Sequence, residues 1–178
     1  KKYLNGISNT HIYSVNSMYY DSLKNKHSKI KSPIKLKKVM VIEYPLTETR
    51  HNIYSFWPYQ LKLMLEVGDF LKDKGIATIM KRHPDRLAES DGLYDSVYGE
   101  QLVERFEDIF DQADAYFFMN ITSTTFGFAM TTNRPIFIFS TWLEEVWEDM
   151  IPLIRKRCIA IPSWIDGEGN LRFDESYF

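Results

Sequence analysis

Cysteine is nearly absent: 178 residues contain one, Cys158. That excludes an internal disulfide and fits a reducing, cytoplasmic compartment. Cys158 lies in the apolar run 158–161 and reads as a small buried hydrophobe rather than a nucleophile. Metal-like spacing is missing too. His11, His27, His51 and His83 stand far apart with no second His or Cys nearby, so no metal site and no bound cofactor are expected. There is no Gly-x-Gly-x-x-Gly and no Walker loop, which removes the two commonest glycine-rich phosphate cradles. No apolar run approaches the roughly 18 residues that cross a bilayer, and no signal-peptide pattern is visible. Internal repeats and low-complexity tracts are also lacking.

What is present suits one globular domain with a full core: 44% of residues are hydrophobic and 15% aromatic. The net charge of −2 hides an asymmetry. Residues 1–38 hold nine lysines and one acid, Asp21, a charge of +8; the other 140 hold 13 basic and 23 acidic side chains, a charge of −10. An acidic globular part therefore follows a basic arm. The arm, 1–36, reads as a solvated segment or a linker. Its residues Ile12, Tyr13, Val15, Met18, Tyr19 and Leu23 could form one amphipathic helix. Its lysines are scattered without a recognition motif, which argues against nucleic acid. Lysine clusters are compatible with an anionic membrane surface, and so with a place at its cytoplasmic face. The chain starts at Lys1-Lys2 without Met and is expected to be part of a longer protein. The domain boundary is placed near Ser32-Pro33, with the folded domain at 37–178.

From there the pattern alternates. Apolar, β-rich runs at 37–43, 76–80, 114–119, 135–139 and 157–161 read as strands. Between them, helical spacing predicts helices from Ser55 to a C-cap at Gly75, over 100–112, over 123–132 and over 142–154. In the second, Leu102, Val103, Phe106, Ile109 and Phe110 share a face; in the last, Leu143, Val146, Trp147 and Met150 point inward. Residues 90–99 read as loop, and the tail as a turn followed by a weak apolar segment. The order β-α-β-α-β-α-β-α-β implies an α/β, three-layer Rossmann-like domain: a parallel sheet of about five strands with helices on both faces. In such sheets ligands bind beyond the carboxyl ends of the strands. The loops to inspect are Thr47–His51, Lys81–Asp85, Asn120–Thr125 and Ser140–Thr141.

Two of these loops carry the chemistry. Thr122, Ser123, Thr124 and Thr125 lie where a helix begins, and free N–H groups with hydroxyls suit a phosphate. The plainer reading is that Thr122 or Ser123 caps the helix. His83 precedes Pro84, which disfavours helix for the residue before it and pins the backbone in an extended form. Its imidazole could donate to a phosphate or move a proton, beside the charges of Lys81 and Arg82. Taken alone it reads equally as a half-exposed loop histidine. Asp85, Glu89 and Asp91 are carboxylates that could act as bases or cap turns. Thr49, Arg50 and His51 form a further substrate-loop candidate, or plain surface.

Order and spacing add what the parts lack. His83-Pro84 ends one strand; Thr122-Ser123-Thr124-Thr125 follows another, then a short helix and Asn133-Arg134-Pro135. Over residues 37–140 this resembles the C-terminal domain of GT-B glycosyltransferases. The resemblance is to bacterial surface-polysaccharide enzymes: sialyl- and Kdo-type transferases with His-Pro and Ser/Thr motifs, and CDP-glycerol glycerophosphotransferases. It implies the nucleotide-sugar or nucleotide-polyol binding half of a transferase for capsule or lipopolysaccharide synthesis. CMP- or CDP-linked donors are favoured. It implies that His83 is the catalytic group that stabilises charge on the leaving phosphate. Lys81, Arg82, Pro84, Thr122, Ser123, Thr124 and Thr125 would hold the donor phosphate.

Two departures accompany it. Such enzymes take the acceptor, and often the base, from an N-terminal Rossmann domain, and residues 1–36 are too short to be one. The missing N-terminal domain is thus an expected partner, and the isolated chain is expected to be inactive. The helix after the Ser/Thr turn, residues 126–130, also carries no carboxylate, so a ribose contact from an acid there is not expected. Two alternatives remain: half of a UDP-sugar 2-epimerase-like enzyme, and a non-enzymatic Rossmann-like interaction module.

Overall fold

A computed structural model describes residues 18–27, 35–43 and 57–177. It contains a six-stranded, wholly parallel sheet in the order β3-β2-β1-β4-β5-β6. The strands are β1 (Lys38–Ile42), β2 (Ala77–Lys81), β3 (Glu100–Leu102), β4 (Ala115–Phe118), β5 (Ile136–Phe139) and β6 (Ile159–Ile161). The α/β, Rossmann-like class expected from the alternation is the observed one, with one strand more. The order reverses between β1 and β4. A parallel sheet with that order leaves a crevice at the reversal, beyond the carboxyl ends of its strands.

The central strands are apolar on both faces because both faces are covered. In β1, Val39, Met40 and Val41 are fully buried; so are all four residues of β4. One layer is α2 (Trp57–Asp73) with an antiparallel hairpin of β7 (Ser163–Ile165) and β8 (Leu171–Phe173). Phe173 of β8 bridges them, its ring 5.7 Å from Phe70 of α2 and 5.6 Å from Phe139 of β5. The other layer holds α3 (Phe106–Ile109), α4 (Thr124–Ala129) and α1 (Met18–His27). Here Phe106 meets Tyr116 at 5.0 Å and Phe128 at 5.7 Å. His27 of α1 is buried between the rings of Phe110 and Phe128, with Nδ1 3.0 Å from the Thr131 hydroxyl. Burying each such aromatic contributes roughly 1.5–3 kcal/mol.

Helix α2 ends as its sequence suggests. Gly75 takes φ +71, and the N–H groups of Gly75 and Ile76 return to the carbonyls of Lys72 and Leu71. At the same edge, where β1 starts, Asp114 Oδ2 accepts the backbone N–H groups of Lys37 and Lys38 at 2.9 and 3.1 Å. That tie sets β1 beside β4.

Two predicted helices need correction. Residues 100–112 are not one helix. Glu100–Leu102 form the edge strand β3, and only Phe106–Ile109 are α-helical, with a 3-10 turn over Phe110–Gln112. Pairing to the open edge of β2 competes with the local helical pattern and wins. Val103, assigned to the apolar face, is exposed. Residues 142–154 are not one helix either. The chain makes 3-10 turns over Ser140–Glu145 and Glu148–Met150, with Val146 extended between them. Helix α5 (Ile151–Arg157) then starts with Pro152 in its first turn. A proline there lacks the N–H a continuing helix needs and clashes with the carbonyl four residues back. Trp147 and Met150, expected inward, are therefore exposed. In the predicted first helix, Ser55 lies outside the described residues, as do the arm up to residue 17 and the boundary at 32–33. Cys158 is buried as expected.

Candidate functional site

A cleft of about 420 Å³ opens at the carboxyl edge, over the ends of β1, β2 and β4. Its walls include His83 and Pro84 on one side, Thr122–Thr125 on another, and Glu43 at the end of β1. The predicted residues Lys81, Arg82, His83, Pro84, Thr122, Ser123, Thr124 and Thr125 thus come together in one space. Thr49, Arg50 and His51 lie outside the described residues. A more open hollow of about 520 Å³ sits at the other end of the strands, near Lys38, Ala77 and Glu100, away from the crevice of this topology.

His83 leads a one-turn 3-10 helix, Pro84–Arg86, from an extended backbone at φ −78 and ψ 123. Pro84 explains that conformation. The side chain folds back, Nδ1 accepting the Asp85 N–H in a long contact of 3.4 Å. A neutral imidazole that accepts at Nδ1 carries its proton at Nε2, and so has one donor to offer a ligand.

The hydroxyl turn is built by aromatic packing below it. Phe126 of α4 stands edge-on to Phe118 of β4 at 5.2 Å, and Phe128 packs on Phe106 and Phe110. These contacts hold the start of α4 at the cleft. Ser123 is the N-cap, its Oγ accepting the Phe126 N–H at 3.2 Å. Thr122 donates its hydroxyl and its N–H to Asn120 Oδ1, both at 2.6 Å. The capping reading is therefore realised at Ser123, and Thr122 serves the turn. Thr124 is exposed and Thr125 half-buried in the first turn of α4.

The three cations of the cleft differ. Lys81 is buried, and its ammonium donates to the Arg82 carbonyl. Burial pushes its pKa below the ordinary lysine value, against the opposing pull of Glu43, Glu104 and Glu107. Arg82 turns its guanidinium to the Leu87 carbonyl at 2.6 Å and the Ser90 hydroxyl at 2.9 Å. It organises the β2–β3 connection. Arg105, just before α3, is largely exposed at the cleft, and among the described residues its ion pairs are long, 3.9 Å to Glu107 and 4.0 Å to Asp108.

Sequence reasoning missed Glu43, Arg105 and Glu107. A carboxylate closing a buried strand at the ligand-binding edge was the available signal for Glu43. Arg105 and Glu107 carried none: within a single helix over 100–112 nothing sets them apart, whereas Arg105 is the residue before α3 and Glu107 stands in its first turn. Ser140 and Thr141 prove to be joinery: with Ser163 they form a hydroxyl cluster that anchors β7. Among the described residues no cluster of three His, Cys, Asp or Glu side chains could hold a metal. None of the described helices is long and apolar enough to cross a membrane.

No family model and no curated protein matches the chain. Among solved structures, it is similar to the Thermosulfurimonas dismutans KpsC, a beta Kdo 2,7 transferase, at 18% identity and a TM-score of 0.40. That match covers 70% of this chain and 43% of KpsC. A second, described as the structure of MT0777, matches at 18% identity and a TM-score of 0.41, over 70% of this chain and 85% of that one.

Proposed function

We propose that this chain is the donor-binding half of a two-domain transferase that uses a nucleotide-activated sugar or polyol, with cytidine nucleotides favoured. One observation carries the reading: the His83-Pro84 turn and the Ser123–Thr125 turn, distant in sequence, face one cleft at the reversal of strand order. In this reading the donor phosphate lies between them. His83 Nε2–H donates to it, and so do the hydroxyls of Ser123, whose oxygen accepts the Phe126 N–H, and of Thr124 and Thr125. As the bond to the sugar or polyol breaks, negative charge gathers on the leaving nucleotide. Donors already in place meet that charge without reorganising, the largest kind of catalytic contribution. Arg105 is free to swing onto the phosphate once it is bound. The acceptor, and the base that deprotonates it, would come from a second domain. The assignment to cell-surface polysaccharide synthesis at the cytoplasmic face of a membrane belongs to the same proposal.

Calorimetry with CMP, CDP and UDP tests it on the wild-type chain and on His83→Ala and Ser123→Gly. Glycine keeps the cap geometry at a cost of only a few tenths of a kcal/mol. Cytidine nucleotides should bind, and each substitution should weaken them about tenfold, or 1.4 kcal/mol. Preference for UDP would point to the epimerase-like alternative. Binding of no nucleotide, or full binding by His83→Ala, would leave a module whose hydroxyl turn is only a cap.

A further inference from the structure

Glu43 is 6% exposed at the end of β1, where an ionised carboxylate is costly unless both oxygens find donors. Both do. Oε1 accepts the Tyr94 hydroxyl at 3.0 Å, and Oε2 accepts the backbone N–H of His83 in a short hydrogen bond. Tyr94 is fully buried on the β2–β3 connection, its hydroxyl also 3.6 Å from Met64 Sδ of α2. Burial first, and Glu43 second, hold its phenol above the ordinary range, so it remains a donor at neutral pH. Lys81 faces the same carboxylate from β2.

The consequence falls on His83. Pro84 restricts its backbone from the following side, and Glu43 grips its N–H from the preceding one. What remains is rotation of the side chain. We propose that Glu43, braced by Tyr94, is a positioning residue: it fixes the His83 peptide so that the imidazole stands in the cleft shared with Ser123. This rests on the reading of that cleft as a donor-phosphate site. It adds a residue that acts through His83 and not on the ligand directly. A tie that merely joined β1 to the 84–98 connection would behave differently.

The test is a double-mutant cycle read by CMP binding, with Glu43→Gln made in the wild-type and His83→Ala backgrounds. Glu43→Gln replaces the charged acceptor of the His83 N–H with a neutral one and so loosens that tie, while the Tyr94 hydroxyl can turn to accept the amide N–H. The substitution should raise the CMP Kd about tenfold in the wild-type background and less than about twofold without the imidazole. Equal weakening in both backgrounds, or none in either, overturns the proposal. Hydrogen exchange gives a readout without ligand. The His83 amide should exchange about tenfold faster in Glu43→Gln, with the Val39–Val41 amides unchanged. An unaltered His83 amide also overturns it. If the wild-type chain binds no CMP, the donor-site reading fails, and exchange at His83 alone decides whether Glu43 holds that peptide. Should Glu43→Gln not fold, Tyr94→Phe, which removes one hydroxyl, carries both measurements with the same directions.

Discussion

Gly68 of α2 lies so close to Tyr98 that a Cβ on it would come within 2.8 Å of the ring carbon Cζ. The same Cβ would sit 2.3 Å from Val97 Cγ1. Tyr98 is buried and donates its hydroxyl to the Met64 carbonyl, so it cannot turn aside without losing that bond. The contact seats the 84–98 connection on α2, and that connection carries Tyr94.

Gly68→Ala should therefore destabilise the fold. In an open helix the change would gain about 1 kcal/mol. Here forcing a methyl group into packed side chains costs about 1–3 kcal/mol, which outweighs the gain. Urea unfolding checks the sign. An increase in stability would mean that Val97 and Tyr98 yield freely.

Arg157 closes the far end of α4. Its guanidinium donates to the carbonyls of Ala129, Thr132 and Arg134, and its Nε to Met130. Helix ends leave such carbonyls without partners, and a charged donor at a C-terminus suits the dipole. Arg157→Met keeps most of the stem and removes the donors. A loss of about 2–3 kcal/mol is expected, on the scale of charged hydrogen bonds to buried groups. Lysine, with one ammonium, should recover only part of it, as chemical denaturation of the three proteins would show.

Cys158 sets an alkaline limit. Burial pushes its thiol up to about 11 from an ordinary value of 9.0. The folded state keeps a proton that the unfolded state releases. The contribution to stability is therefore complete below pH 9.0 and is lost as pH rises through about 11. Burial shifts the phenols of Tyr94, Tyr98 and Tyr116 upward as well, and they add to the same decline. Cys158→Ala should unfold with a shallower dependence on pH between 9.0 and about 11 than the wild type. Identical slopes would contradict this role. In the native protein the thiol should also resist alkylation at pH 8.

What could be read beforehand followed from burial. β1, β2, β4 and β5 announce themselves as apolar runs because both of their faces are covered. β3 does not: Glu100-Gln-Leu102 is three half-buried residues on an edge, and its pairing with Ile79–Lys81 is a non-local fact. Within 142–154 Pro152 is a visible stop signal, but the apolar spacing runs on across it and masks the break. At the site, His83-Pro84 and the hydroxyl turn were legible because each has a local pattern. Glu43 and Arg105 were not, since their place depends on strand order and on the course of the 84–105 connection.

In the proposed reading the cleft between His83 and Ser123 takes a cytidine nucleotide by its phosphate. Backbone NMR of the labelled chain, titrated with CMP and CDP to well above about 1 mM, addresses it most directly. Saturable shifts are expected at the amides of His83 and of Ser123–Thr125, with β6 and the β7–β8 hairpin unmoved. No shift at either turn would contradict it.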